Sequence, residues 1–124
     1  MSHTSKVKVE HKFNNSMQNI LKAACDKMQL TLKPWGKHKL YSTTETGFAI
    51  QLPGWNYPVI LNEEGIAMDN YNGRWGAQDK LDGLLRRINA EKIIIEARRK
   101  GYTVAEKEVA GKIKITLTGG DMDA

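Results

Sequence analysis

The segment from Asp79 to Lys100 constrains this chain more than any other, because it carries two apolar stripes that point in nearly opposite directions. Its ends read as those of one helix. Asp79 and Asp82 lie where the helix dipole favours acids, Arg98, Arg99 and Lys100 where it favours bases, and Gly101 follows as a natural terminating residue. Leu81, Leu84, Leu85 and Ile88 have the spacing of one helix face, and so do Ala90, Ile93, Ile94 and Ala97. At about 100° per residue the two sets centre on opposing sides, with Lys92 and Arg99 standing where the first stripe would have continued. One straight helix cannot bury both against one sheet. Three arrangements satisfy the pattern: a break near Asn89, a second element that sandwiches the helix, or a second chain. In the last case Ile93, Ile94 and Ala97, with the basic ridge of Arg86, Arg87, Arg98 and Arg99, form a partner-binding surface.

The rest of the chain supplies a sheet. Lys6 to Phe13 alternate as a half-buried strand, with Val7, Val9, His11 and Phe13 on one side. Asn14-Asn15-Ser16 offers N-cap side chains to a first amphipathic helix carrying Met17, Ile20, Leu21, Ala24 and Met28. Short β-like pieces follow, at 30–32, 39–41, 48–52, 57–61 and 66–68, separated by Pro and Gly, and they read as an antiparallel meander. Asn70 to Gly76 is too rich in Asn and Gly for regular structure and predicts a loop into the second helix. After Gly101, residues 102–109 and 112–118 predict a hairpin turning at Ala110-Gly111 and completing the sheet. The expected fold is α+β, an antiparallel meander with two helices packed on it, in the order β-α-β-β-β-β-α-β-β. With 124 residues there is room for one core, so residues 1–118 are expected to form one domain and 119–124 a flexible acidic tail.

Chemistry is harder to find. His3, His11 and His38 are scattered, and the lone Cys25 has no His or Cys at metal-ligand spacing, so neither a metal nor another cofactor is expected. Glu63 and Glu64 beside a turn, and Asp79 and Asp82 at a helix start, have ordinary solvated or capping roles. No base, orienting group and nucleophile come together in sequence, and Gly73, Gly76, Gly119 and Gly120 lack the partners of a phosphate-binding loop. No catalytic residue is therefore named, and the chain is expected not to be an enzyme. A single cysteine suits a reducing compartment, and neither a leader nor a membrane span is visible, so the expected location is the cytoplasm or a plastid stroma.

A net charge of +5 and a pI near 9.4 favour an acidic or phosphate-rich partner. Lys33, Trp35, Lys37, His38, Lys39 and Tyr41 place two aromatics among cations, a composition suited to stacking bases while lysines meet phosphates. Lys6, Lys8, Lys12, Lys112 and Lys114 extend that patch if their strands lie together. Trp55, Tyr57, Tyr71 and Trp75 form a second aromatic group around the Pro/Gly/Asn loops, as core caps or as a shallow recognition surface.

Met1-Ser2-His3 with Ser5, the run Leu84-Leu85-Arg86-Arg87 through Lys92, the stretch Glu96-Ala97-Arg98-Arg99-Lys100-Gly101-Tyr102-Thr103-Val104, and Ile113-Lys114-Ile115-Thr116-Leu117 carry a resemblance. Together they resemble an uncharacterised hypothetical-reading-frame family of plastid and cyanobacterial-type genomes, most closely over residues 84–117. The resemblance does not extend to the stretch between Trp35 and Gly76. It implies a small stromal or cytoplasmic α+β protein of unknown function and supplies no activity, cofactor or active site. The expected function is accordingly a non-enzymatic binding or adaptor domain that contacts a protein partner, or itself as a homo-oligomer, through the second helix. Single-stranded nucleic-acid binding through the Lys33–Tyr41 segment is the alternative, and no membrane association is expected.

Overall fold

The computed structural model describes residues 5–7, 13–69 and 74–120. The elements run β1 Ser5–Val7, α1 Gln18–Met28, β2 Leu32–Lys39, β3 Thr44–Ile50, β4 Val59–Asn62, β5 Gly65–Met68, α2 Gln78–Arg99, β6 Tyr102–Val109 and β7 Lys112–Gly119. This is the α+β class and the element order that the sequence predicts. Residues 8–12 of the expected first strand, the start of the loop at 70–73, and 121–124 of the expected tail lie outside the described residues. Among the described residues, no helix is long and apolar enough to cross a membrane.

Five strands form an antiparallel sheet in the order β1-β5-β4-β3-β2. The predicted break between 32 and 39 is absent, because β2 runs straight through Pro34 and Gly36. An edge strand tolerates a residue without an N–H, and the register shift between Lys33 and Gly36 absorbs the irregularity. α1 also starts differently from the expectation. Asn14 accepts the Ser16 N–H at 3.0 Å and caps a single 3-10 turn, Asn15–Met17, and α1 follows from that turn with Met17 as its own cap.

One face of the sheet carries the main core. Phe48, Ile50, Val59, Leu61 and Ile66 meet Leu21, Ala24 and Cys25 of α1 and Leu81, Leu84 and Ile88 of α2. The first apolar stripe of α2 is thus spent on the sheet side.

The second stripe is covered from the other side. α2 runs unbroken past Asn89 for 22 residues, and β6 and β7 form their own two-stranded sheet packed on it. The hairpin therefore does not complete the main sheet, contrary to the sequence expectation; it forms a third layer, and α2 is sandwiched. Ala90, Ile94 and Ala97 are buried, and none belongs to the sheet-side cluster. Of the residues expected to greet a partner, Ile94 is hidden by the chain's own atoms and Ala97 keeps only a sliver of exposure. The physical reason is that a two-stranded hairpin is marginal in water and gains stability by laying its apolar face on a helix. Ala110 and Gly111 both take positive φ, 51° and 77°, the backbone of the tightest two-residue hairpin turn.

Ile94 is fully buried and lies on the stripe of α2 turned away from the sheet-side cluster, so Ile94→Ala should cost about 2–4 kcal/mol. In a hydrogen-exchange experiment the loss should appear as faster exchange across β6 and β7, with protection of β3 to β5 largely kept. Unchanged exchange in the hairpin would show that Ile94 does not anchor it.

Candidate functional site

The hairpin's two faces differ in chemistry. Alternation puts Tyr102, Val104, Glu106 and Glu108 on one face with Ile113, Ile115 and Leu117, in the pairing Val104↔Leu117, Glu106↔Ile115 and Glu108↔Ile113. Ion pairs identify this face as the inner one. Arg87 of α2 donates to Glu106 at 2.9 Å and to Glu108 at 3.2 Å, and Lys27 of α1 donates to Glu106 and, at 2.9 Å, to Glu91. Arg87 also faces Glu91 one turn along at 3.4 Å. Arg87 and Glu91 are buried. Arg87 thus leaves the expected partner-binding ridge, since its donors are used inside the molecule, while Arg86, Arg98 and Arg99 remain exposed.

The outer face carries Lys107, Lys112 and Lys114, together with Thr103, Thr116 and Thr118, and no carboxylate. Lys107 stands directly opposite Lys114, a like-charge pair that disfavours the bare hairpin.

Beside the sandwich lies an open groove of about 770 Å³. Ile93 and Ala97 of α2 form one side, and Tyr102 and Leu117 of the hairpin the other, with Lys92, Glu96 and Lys100 at the rim. Ile93 is 51% exposed and Leu117 42%. Ile93 stays open because it lies about 100° around the helix from Ile94, at the fringe of what the hairpin covers. Glu96 pairs with Arg99 at 3.2 Å and with Lys100 at 4.0 Å, which turns part of the rim's charge back on itself. Of the residues expected to bind a partner, the structure brings only Ile93 and Ala97 to this groove. Tyr102, Leu117 and Lys100 were not singled out from sequence; the spacing of the hairpin's apolar residues was visible, but not the helix flank they would meet.

The second expected site is divided by the sheet. Trp35 turns its edge to Phe48, with ring centroids 5.3 Å apart, on the helix-covered face. Tyr41 lies beyond the end of β2, against Trp75 at 5.2 Å and Tyr57 at 6.1 Å, and Tyr57 packs on the opposite-face cluster of Leu40, Ala49, Ile60 and Ala67. The two rings therefore make no common stacking platform. Lys33, Lys37 and Lys39 are exposed on β2, and His38 Nε2 lies 3.0 Å from the Pro34 carbonyl oxygen. Lys112 and Lys114 belong to the other sheet and do not extend this patch. Of the second aromatic group, Trp55 is buried and donates from Nε1 to the Ala77 carbonyl at 3.1 Å, while Tyr71 is outside the described residues. Gly76 lies so close to the Trp55 ring that a Cβ there would stand 2.2 Å from it, so this tryptophan locks the entry to α2.

Reactive groups are few. Burial, aided by the neighbouring Asp26 charge, pushes the Cys25 thiol up to about 11, so at neutral pH it is an inert core thiol. Among the described residues, no three His, Cys, Asp or Glu side chains gather closely enough to hold a metal ion.

Comparison with models of known protein families, with curated proteins and with solved structures finds no match to this chain. The resemblance to the plastid and cyanobacterial-type family therefore rests on the quoted residues alone.

The ion-pair cluster should make hairpin docking sensitive to acid. The hydrogen bond from Lys27, joined by that from Arg87 and opposed by burial, holds the Glu106 carboxyl below its ordinary value of 4.5. A carboxyl with a lowered folded-state value contributes stability that is present above 4.5 and is lost as the pH falls through the lowered value. Urea titrations from neutral pH down to about pH 3 should show this loss in the wild type. Glu106→Gln should be less stable at neutral pH and lose less on acidification. An identical acid response in the two proteins would remove Glu106 from this role.

Proposed function

We propose that this chain is a non-enzymatic binding domain that takes an apolar segment of a protein partner into the groove between α2 and the hairpin. One observation carries the reading. Of the large hydrophobic side chains that the described residues leave exposed, Ile93 and Leu117 line the same groove. Isolated surface hydrophobics are ordinary, whereas adjoining ones that frame a concave surface characterise a binding site. Covering both would contribute roughly 2–4 kcal/mol, enough to change an affinity by about 30-fold or more.

This narrows the surface expected from sequence. It keeps Ile93 and the floor residue Ala97, drops Ile94 and Arg87, and adds Tyr102 and Leu117. Single-stranded nucleic-acid binding draws on Lys33, Lys37 and Lys39, but with Trp35 and Tyr41 on different faces it has less to recommend it. A cytoplasmic or stromal setting, and membership of the plastid and cyanobacterial-type family, remain parts of the same proposal and bring no activity of their own.

Affinity capture from native lysate, with and without nuclease, tests it by comparing the wild type with an Ile93→Glu/Leu117→Glu variant. Both positions are exposed, so the variant should fold. The expected result is a protein captured by the wild type, retained after nuclease and at moderate salt, and lost with the variant. Capture that survives the two substitutions, or that nuclease abolishes, would overturn the reading.

A further inference from the structure

We propose that the groove's occupant is an extended segment alternating apolar and acidic residues, which pairs with the open edge of β7 as a third strand. The proposal deepens the reading of the groove as a protein-binding site and rests on it.

Three observations specify the occupant. First, among the described residues β7 pairs only with β6, so an eight-residue strand, Lys112–Gly119, presents one full edge of backbone donors and acceptors without a ladder partner. Such an edge is a ready template for strand addition. Second, that strand adjoins the groove: Leu117 forms part of the hairpin's wall and Ile93 rises from the facing helix flank. A strand added about 4.8 Å beyond β7 would lay its inward side chains over both. A helix in the same place would satisfy its own backbone and leave β7's edge unused.

Third, the charge pattern selects the sequence of the strand. Inward, β7 offers Ile113, Ile115 and Leu117; outward, it offers Lys112 and Lys114, with Lys107 behind them on β6 and no carboxylate on that face. A neighbouring strand with apolar residues inward and acids outward meets each row with its complement. A second copy of this chain does the reverse. Edge-to-edge pairing of two β7 strands would bring together two faces that each carry Lys112 and Lys114 and no carboxylate, and edges of one charge sign are a device by which proteins keep strands apart. The lysines that discourage self-pairing thus favour an acidic strand.

The probe is a labelled, end-capped peptide of alternating valine and glutamate, about the length of β7, added to the full chain and followed by fluorescence anisotropy and by amide exchange of β7. Comparison peptides replace glutamate with lysine, or carry N-methyl groups on the amides of one edge or the other. The glutamate peptide should bind and slow exchange along residues 112–119. The lysine form, and the N-methyl form blocked on the pairing edge, should bind at least about tenfold more weakly. Lys112→Glu/Lys114→Glu should exchange the preference, taking the lysine peptide over the glutamate one, a gain that misfolding would not produce.

Equal binding of all the N-methylated peptides would overturn strand addition while leaving the groove reading intact, provided Ile93→Glu/Leu117→Glu still abolished binding. Binding indifferent to Ile93 and Leu117 would sink both. If oligothymidylate bound in place of the glutamate peptide and only the lysine substitutions weakened it, the surface would be one for nucleic acid and the proposal would fail.

Discussion

A helix with apolar stripes on opposite sides has to be covered twice, and the architecture of this protein follows from that requirement. Leu81, Leu84 and Ile88 commit α2 to the five-stranded sheet and to α1. Ala90, Ile94 and Ala97 then face away from that core and would lie in water but for a further layer. The hairpin immediately after Gly101 supplies it. Gly101, with φ of 89°, ends the helix and turns the chain back along the face it has just left. Covering the second stripe costs little loop entropy, because the covering element is the next one in the chain.

Apolar contact alone would leave a two-stranded ribbon free to slide on a helix, since hydrophobic burial is not directional. The cluster of Lys27, Arg87, Glu91, Glu106 and Glu108 supplies the direction. Arg87 bridges to adjacent inward positions of β6, and Lys27 ties α1 to both α2 and β6 through Glu91 and Glu106. Arg87 and Glu91 are the buried members of this cluster, while Lys27, Glu106 and Glu108 stay partly exposed; a hairpin out of register would leave the buried Arg87 short of acceptors, which favours the observed placement. Their placement has a consequence for the surface. Both of the hairpin's carboxylates lie on the inner face, which leaves its outer face with lysines as the only charged residues, beside threonines, Ala105 and the exposed Val109.

Much of this fold was legible in the sequence, and the remainder was hidden for definite reasons. The ends of α2, the terminating Gly101 and the turn at Ala110-Gly111 are local features, set by residues close together in the chain, and they lie where the sequence puts them. The opposed stripes of α2 were equally plain. What covers the far stripe was not, because periodicity reports which face is apolar and says nothing about the element that meets it. The same limit explains Arg87. Its i, i+4 neighbour Glu91 was visible, but Glu106 and Glu108 come within reach only once the chain has folded back. β2 was obscured by Pro34 and Gly36, which interrupt a central strand but not an edge one. Trp35 and Tyr41 looked like a pair because they are close in sequence, whereas the strand carries one to the helix side and the chain beyond it carries the other to the opposite face.

The groove is what remains after two strands have covered a helix. Neighbouring strands lie about 4.8 Å apart and a helix with its side chains is about 10 Å across, so a hairpin shields the centre of a helix face and not its flanks. On the flank towards α1, Lys27 bridges to Glu91 and Glu106 beside a polar hollow of about 590 Å³ lined by Arg86, Arg87 and Glu108. On the other flank no described element is paired to β7, and Ile93, about 100° from the buried Ile94, stays open to solvent beside Leu117. The asymmetry is therefore built in: α1 is ion-paired to one side of the sandwich, and the width of a two-stranded ribbon leaves the other side one strand short.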